Sequence, residues 1–172
     1  MKKVELKKIK ISHFRGQNLE ISFDGDTTII GRNKVGKSTI YNAFLWVLTG
    51  CDMEDRTNFQ LFDNRLELTY ENSIPVQVDV VVCIDGYDYK FTRIAQQSWS
   101  RKRGESEYTK ELSDAYKFMI DDIELSTREF KKRIEDMFAP SDCLKVILNI
   151  KQMFGLDWKE QRKLFSQICN EI

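Results

Sequence analysis

The chain has 172 residues, 41% hydrophobic and 31% charged, and its 27 basic and 27 acidic side chains cancel to a formal net charge of zero. That is enough apolar material for the core of one domain, or of one lobe of a larger unit, and too little net charge for a global field attracting nucleic acid. Cys51, Cys83, Cys143 and Cys169 form no C-x-x-C pair, which argues against zinc and disulfide frameworks and for a reducing cytoplasm, while the charged start lacks the apolar stretch of a secretion signal and no apolar run approaches the roughly 18 residues of a membrane span.

Residues 4–14 alternate apolar and polar side chains through Leu6, Ile9 and Ile11. Residues 18–23 do so again through Leu19, Ile21 and Phe23, which predicts two strands. A turn at Asp24-Gly25-Asp26 leads to Thr27-Thr28-Ile29-Ile30, a β-branched run that reads as a short buried strand. After a glycine-containing loop, residues 38–48 carry Ile40, Phe44, Leu45 and Leu48 at helical spacing, with Gly50 placed to end the helix. Residues 51–73 are polar and read as an irregular surface excursion. Residues 76–84 and 87–94 predict a hairpin closing on Asp85-Gly86, and residues 116–120 and 123–125 a smaller one on Asp121-Asp122. Between them, residues 96–113 read as a mobile loop, basic at Arg101-Lys102-Arg103. Ser126 and Glu129 have the spacing of a capping box, opening a helix with Phe130, Ile134, Met137 and Phe138 on one face and Pro140 at its end. A short helix over 141–149 and an amphipathic one over 157–172, through Leu164, Phe165, Ile168 and Ile172, complete the pattern.

The loop Gly31-Arg32-Asn33-Lys34-Val35-Gly36-Lys37-Ser38 satisfies G-x-x-x-x-G-K-[ST]. Glycines let the backbone curl so that successive N–H groups converge on one anion, and the following helix adds its positive end. The pattern places Lys37 on the β- and γ-phosphates of a nucleoside triphosphate and the Ser38 hydroxyl on magnesium. Arg32, Asn33, Lys34, Val35, Gly36, Lys37, Ser38 and Thr39 are the expected nucleotide-binding residues, with ATP and Mg2+ as ligands. The context test is a strand before and a helix after, and both are predicted.

A hydrolase of this type also needs an acid on a second apolar strand. Val80-Val81-Val82-Cys83-Ile84-Asp85 has the right form, but Gly86 follows, and Asp-Gly is a hairpin signal that favours a turn over a magnesium site. Leu112-Ser113-Asp114-Ala115 lacks both glycines of an ABC signature and reads as loop. Alone, the chain is expected to bind nucleotide and to hydrolyse it poorly.

Phe14-Arg15-Gly16, then Leu19-Glu20-Ile21-Ser22-Phe23, the loop from Ile29 to Ile40, and Asn42-Ala43-Phe44-Leu45-Trp46 together resemble the N-terminal ATPase lobe of the SMC-like DNA-repair ATPases, the SbcC, RecN and RecF group. The resemblance implies an α/β P-loop fold: the N-terminal lobe of an ABC-type head, with a β-rich subdomain and C-terminal helices. The whole chain would be that lobe, and about 157–172 the base of a coiled coil. A C-terminal lobe would supply the signature and the missing acid, a second head would close on ATP, and DNA and a nuclease would be partners of the full assembly. It also implies that Arg15 reaches the nucleotide phosphates and that a glutamine senses magnesium and γ-phosphate. Asn149 fits that glutamine by spacing and Gln152 by residue type. Lys34 stands where the family commonly has glycine, so it either strains the loop or adds a charge near phosphate.

Two other readings compete. One is a self-contained P-loop phosphotransferase or GTPase using Asp85 for magnesium, although no N-K-x-D motif for guanine follows the loop. The other is an interaction module that keeps the loop without catalysis. Trp99 with Arg101-Lys102-Arg103 could touch a DNA backbone or be a solvated loop.

Overall fold

A computed structural model describes residues 3–33, 35–65, 69–101, 103–104 and 107–171. Lys34, Lys102 and Ile172 lie outside the described residues. The strands are β1 (Val4–Phe14), β2 (Gln17–Ser22), β3 (Val76–Ile84), β4 (Tyr87–Gln96), β5 (Trp99–Ser100), β6 (Thr109–Lys110), β7 (Ala115–Ile120) and β8 (Ile123–Leu125). The helices are α1 (Lys37–Thr49), α2 (Thr127–Met137), α3 (Ser141–Leu148) and α4 (Trp158–Glu171), with a 3-10 helix at Ile150–Gly155.

Six strands form one antiparallel sheet in the order β2-β1-β3-β4-β7-β8. Their alternation decides its two faces. Ile9 and Ile11 on β1, Val78 and Val80 on β3, Phe91 on β4 and Phe118 on β7 all point to one buried face. There α1 contributes Ala43, Trp46 and Val47, and α2 contributes Phe130 and Ile134. Aromatic contacts join the layers: Phe14 to Trp46 at 5.6 Å, Phe118 to Phe130 at 5.1 Å, and Phe91 to Phe138 at 5.5 Å between ring centroids. A separate small core of Ala139, Cys143, Val146, Met153 and Leu164 holds α3, the 3-10 helix and α4 together.

The turns follow their residues. Asp85 and Gly86 take φ 51° and 91°, and Asp121 and Asp122 take 50° and 65°, the left-handed pair that a two-residue hairpin needs. Ser126 closes its capping box as predicted: its side chain accepts from Glu129 N at 3.3 Å, and Ser126 N donates to Glu129 Oε2 at 3.0 Å.

Three expectations are corrected. Residues 27–30 are not a buried strand: they pair with nothing among the described residues, and Ile30 is 89% exposed. A β-branched run favours extended backbone, but a strand exists only where neighbouring backbone accepts its hydrogen bonds. Residues 51–73 are irregular but not simply superficial. Cys51, Asp52 and Leu61 are buried, and Asp52 accepts from Arg56 Nη2 at 2.6 Å and from the backbone N–H groups of Glu54 and Arg56 at 2.9 and 3.0 Å. Residues 96–113 contain the β5–β6 ribbon, pairing Trp99 with Lys110, and Tyr108 stacks on Tyr70 at 3.8 Å.

Candidate nucleotide site

The phosphate-binding loop runs from the unpaired arm into α1. Gly36 is the N-cap residue at φ 99°, a conformation that side chains disfavour, and its carbonyl accepts from Thr39 N and Ile40 N at 2.9 and 3.2 Å. The start of α1 has no side-chain cap and no acidic residue in its first turn. An ordinary exposed helix meets its free N–H groups with Ser, Asp or Glu. Here those donors and the positive end of the helix remain available for an anion. Lys37 Nζ folds back to donate to the Gly31 and Arg32 carbonyls, both at 2.7 Å, which holds the ammonium across the curl. Arg32, Asn33, Val35 and Ser38 are exposed around it, and Thr39 is half-buried.

The far end of α1 is fixed by a residue that sequence reasoning missed. Arg93 is buried in β4, and its Nη1 donates to the Trp46 carbonyl. Its guanidinium lies 5.5 Å from the Trp46 ring centroid and 4.8 Å from that of Phe118. Burial lowers it to about 10, so it stays charged at neutral pH and meets the negative end of the helix. Gly50 completes the arrangement: a Cβ there would lie 2.9 Å from Arg93 Nη1. The available signal was a lone arginine on the core-facing side of a strand, between Phe91 and Ala95.

Arg15 sits in the β1–β2 turn at φ 51°. Its N–H donates to the Leu61 carbonyl at 2.7 Å and its Nε to the Gln60 carbonyl at 3.0 Å. Its guanidinium is 5.4 Å from the Phe59 ring centroid, and burial pulls it below its usual value. Two residues on, Gln17 lies against Gly36, where a Cβ would be 3.5 Å from Gln17 Cδ. Arg15 and Gln17 therefore share one cavity of about 580 Å3 beside the loop, with Arg56 and Arg65.

Asn149 and Gln152 lie where α3 docks on the helix of the loop. Tyr41 of α1 donates to the Leu148 carbonyl at 2.5 Å. Asn149 is buried and donates its amide to the Met53 carbonyl at 2.7 Å. Gln152 is half-buried in the 3-10 helix. Among the described residues, neither side chain hydrogen-bonds to the loop.

Asp85 belongs elsewhere. Its Oδ1 accepts from Lys3 N at 2.8 Å, beside the start of β1. The β1–β3 register pairs Val4 with Ile84, whereas Arg15 and Gln17 follow the other end of β1. An eleven-residue strand at about 3.3 Å per residue separates the two ends by roughly 30 Å. This counts against a magnesium role for Asp85 and with it the self-contained phosphotransferase or GTPase. Among the described residues, no group of three His, Cys, Asp or Glu side chains could hold a metal ion. Magnesium fits this chain only in the form that the loop motif implies, with the Ser38 hydroxyl supplementing oxygens of a bound phosphate.

Residues 3–168 match the family described as AAA domain. No curated protein matches in sequence. Among solved structures, the chain is similar to the recombination mediator protein RecF with ATP, in the RecFOR pathway, at 17% identity and a TM-score of 0.52. That similarity covers 78% of this chain and 31% of the RecF chain, so this chain spans about a third of that protein's length. The shared fold is that of a P-loop ATPase lobe, as the resemblance to SMC-like ATPases implied. No described helix is long and apolar enough to cross a membrane.

Proposed function

We propose that this chain, which belongs to the AAA domain family, is the ATP-binding N-terminal lobe of an SMC- or RecF-like ATPase acting on DNA in the cytoplasm. The observation that carries the reading is the start of α1: an uncapped helix end with no acidic residue, with Lys37 folded across the loop before it. ATP binds there through its phosphates. Lys37 contacts the β- and γ-phosphates, Ser38 supplements magnesium, and Arg32, Asn33, Val35, Gly36 and Thr39 line the curl. Arg15 approaches from the neighbouring cavity, where its planar guanidinium suits phosphate geometry. Gln152 serves as the magnesium-sensing side chain in preference to Asn149, because Asn149 is buried and held to Met53 whereas Gln152 is only half-buried.

Hydrolysis needs a second acid and a base, and these come from a C-terminal lobe and a second head. The exposed, unpaired run Thr27–Thr28–Ile29–Ile30 supports this, since a complementary strand beside it would satisfy its backbone and cover Ile30. DNA, and a nuclease, would be partners of the completed assembly, with α4 entering its coiled coil.

The test is equilibrium binding of a fluorescent ATP analogue with and without Mg2+, together with phosphate release. The expected result is magnesium-dependent binding that Lys37→Ala abolishes, near-background turnover by this chain, and turnover restored by a co-expressed C-terminal lobe. Robust ATP turnover by this chain as a monomer would overturn the lobe reading.

A further inference from the structure

Residues 57–64 form one wall of a second cavity, of about 460 Å3, within the roughly 300–1,000 Å3 range of small-molecule sites. Its back wall comes from two paired strands. The β4–β7 register ends on Gln96 with Ala115, and the next residue outward on each side, Gln97 and Asp114, lines the cavity. Gln97 is only 6% exposed, and its Oε1 has no hydrogen-bond partner among the described residues. An unmet buried acceptor costs about 1–3 kcal/mol, so the fold's own bonds do not account for this side chain. Burial lifts the Asp114 carboxyl above its ordinary value, opposed only by Lys110. Lys110 Nζ lies 5.9 Å from the Phe62 ring centroid, and Phe59 and Phe62 both line the cavity.

An amide, a carboxylate, an ammonium and aromatic faces complement a planar ring with adjacent N–H and C=O groups, the edge of a nucleobase. A neutral sugar could use the amide and the rings, but it has no use for Lys110, nor for Arg101 on the nearby ribbon, stacked 5.4 Å from the Tyr108 centroid. We propose that this cavity is a second nucleotide site, separate from the phosphate-binding loop, in which Gln97 and Asp114 read the hydrogen-bonding edge of a nucleobase, free or carried by a single strand, and Lys110 faces its phosphate. The two sites share a wall. The Gln60 and Leu61 carbonyls that hold Arg15 belong to the segment lining this cavity, so an occupant touches the support of Arg15.

The test uses the Lys37→Ala chain, in which the phosphate-binding loop no longer holds nucleotide, titrated with the four nucleoside monophosphates and with a short single strand by calorimetry. The expected result is saturable binding of a base-bearing ligand, weakened about tenfold or more by Gln97→Leu and by Asp114→Asn. Asp114 is part-exposed, so Asp114→Asn carries the test if Gln97→Leu does not fold. Monophosphate binding identifies a free nucleotide as the source, and binding of the strand alone identifies nucleic acid. No binding of either, or binding indifferent to both substitutions, overturns the proposal and leaves the reading of the phosphate-binding loop intact.

Discussion

Residues 76–84 and 27–30 are both rich in β-branched side chains, yet they end in opposite states. Val78 and Val80 are fully buried because β1 and β4 flank their strand and α1 covers it. Ile29 and Ile30 have no such neighbours and stay exposed. The contrast separates two tasks. The inner strands β1, β3, β4 and β7 each have a neighbour on both sides and a covered apolar face. The arm and the loop after it keep their backbone and helix end open, as the proposed ATP-binding lobe requires.

The comparison yields tests of decreasing size. Phe91→Ala empties a fully buried position beside Phe138 and should cost about 3–5 kcal/mol of unfolding free energy, read by denaturant melts. Lys37→Ala should do the reverse, leaving the melt unchanged while removing detectable ATP binding, a loss of at least about 100-fold or ~2.7 kcal/mol, read by analogue binding. A large melting loss in Lys37→Ala would break the separation of tasks.

Asp52 organises the segment that follows α1, through Arg56 and the Glu54 N–H. Burial raises its carboxyl, but the Arg56 side chain and the backbone N–H groups of Arg56 and Glu54 outweigh burial and hold it below its ordinary 3.8. A lowered carboxyl adds stability above its unfolded value and loses it as pH falls through the folded value. Stability should therefore drop below about pH 4, and Asp52→Asn should flatten that part of the curve while costing about 1–2 kcal/mol at neutral pH. Smallest of all, Ile30→Asp should change this chain's stability by less than about 0.5 kcal/mol, yet prevent restoration of turnover by the C-terminal lobe.

Much of this was legible in the residues. The loop, its helix, both hairpins and the capping box follow from local rules that need only neighbours in sequence: glycine at positive φ, the Asp85-Gly86 and Asp121-Asp122 turns, the Ser126–Glu129 spacing. What was not legible depends on partners distant in sequence. Thr27 to Ile30 has the composition of a strand, and the lack of a flanking strand among the described residues decides otherwise. Residues 51–73 look like solvent-facing loop because no periodicity reveals that Leu61 receives the Arg15 N–H. Arg93 looks like one more charged side chain until the Trp46 carbonyl and two aromatic rings are set around it.

Lys37 has a kinetic implication. Its ammonium already rests on the Gly31 and Arg32 carbonyls, so the side chain has given up much of the rotamer freedom, worth up to about 2 kcal/mol for a lysine, during folding. An arriving triphosphate exchanges partners with an ordered cation instead of capturing a wandering one. Such an exchange takes picoseconds to nanoseconds, so capture should run at the rate of encounter, which every incoming phosphate shares whatever base it carries.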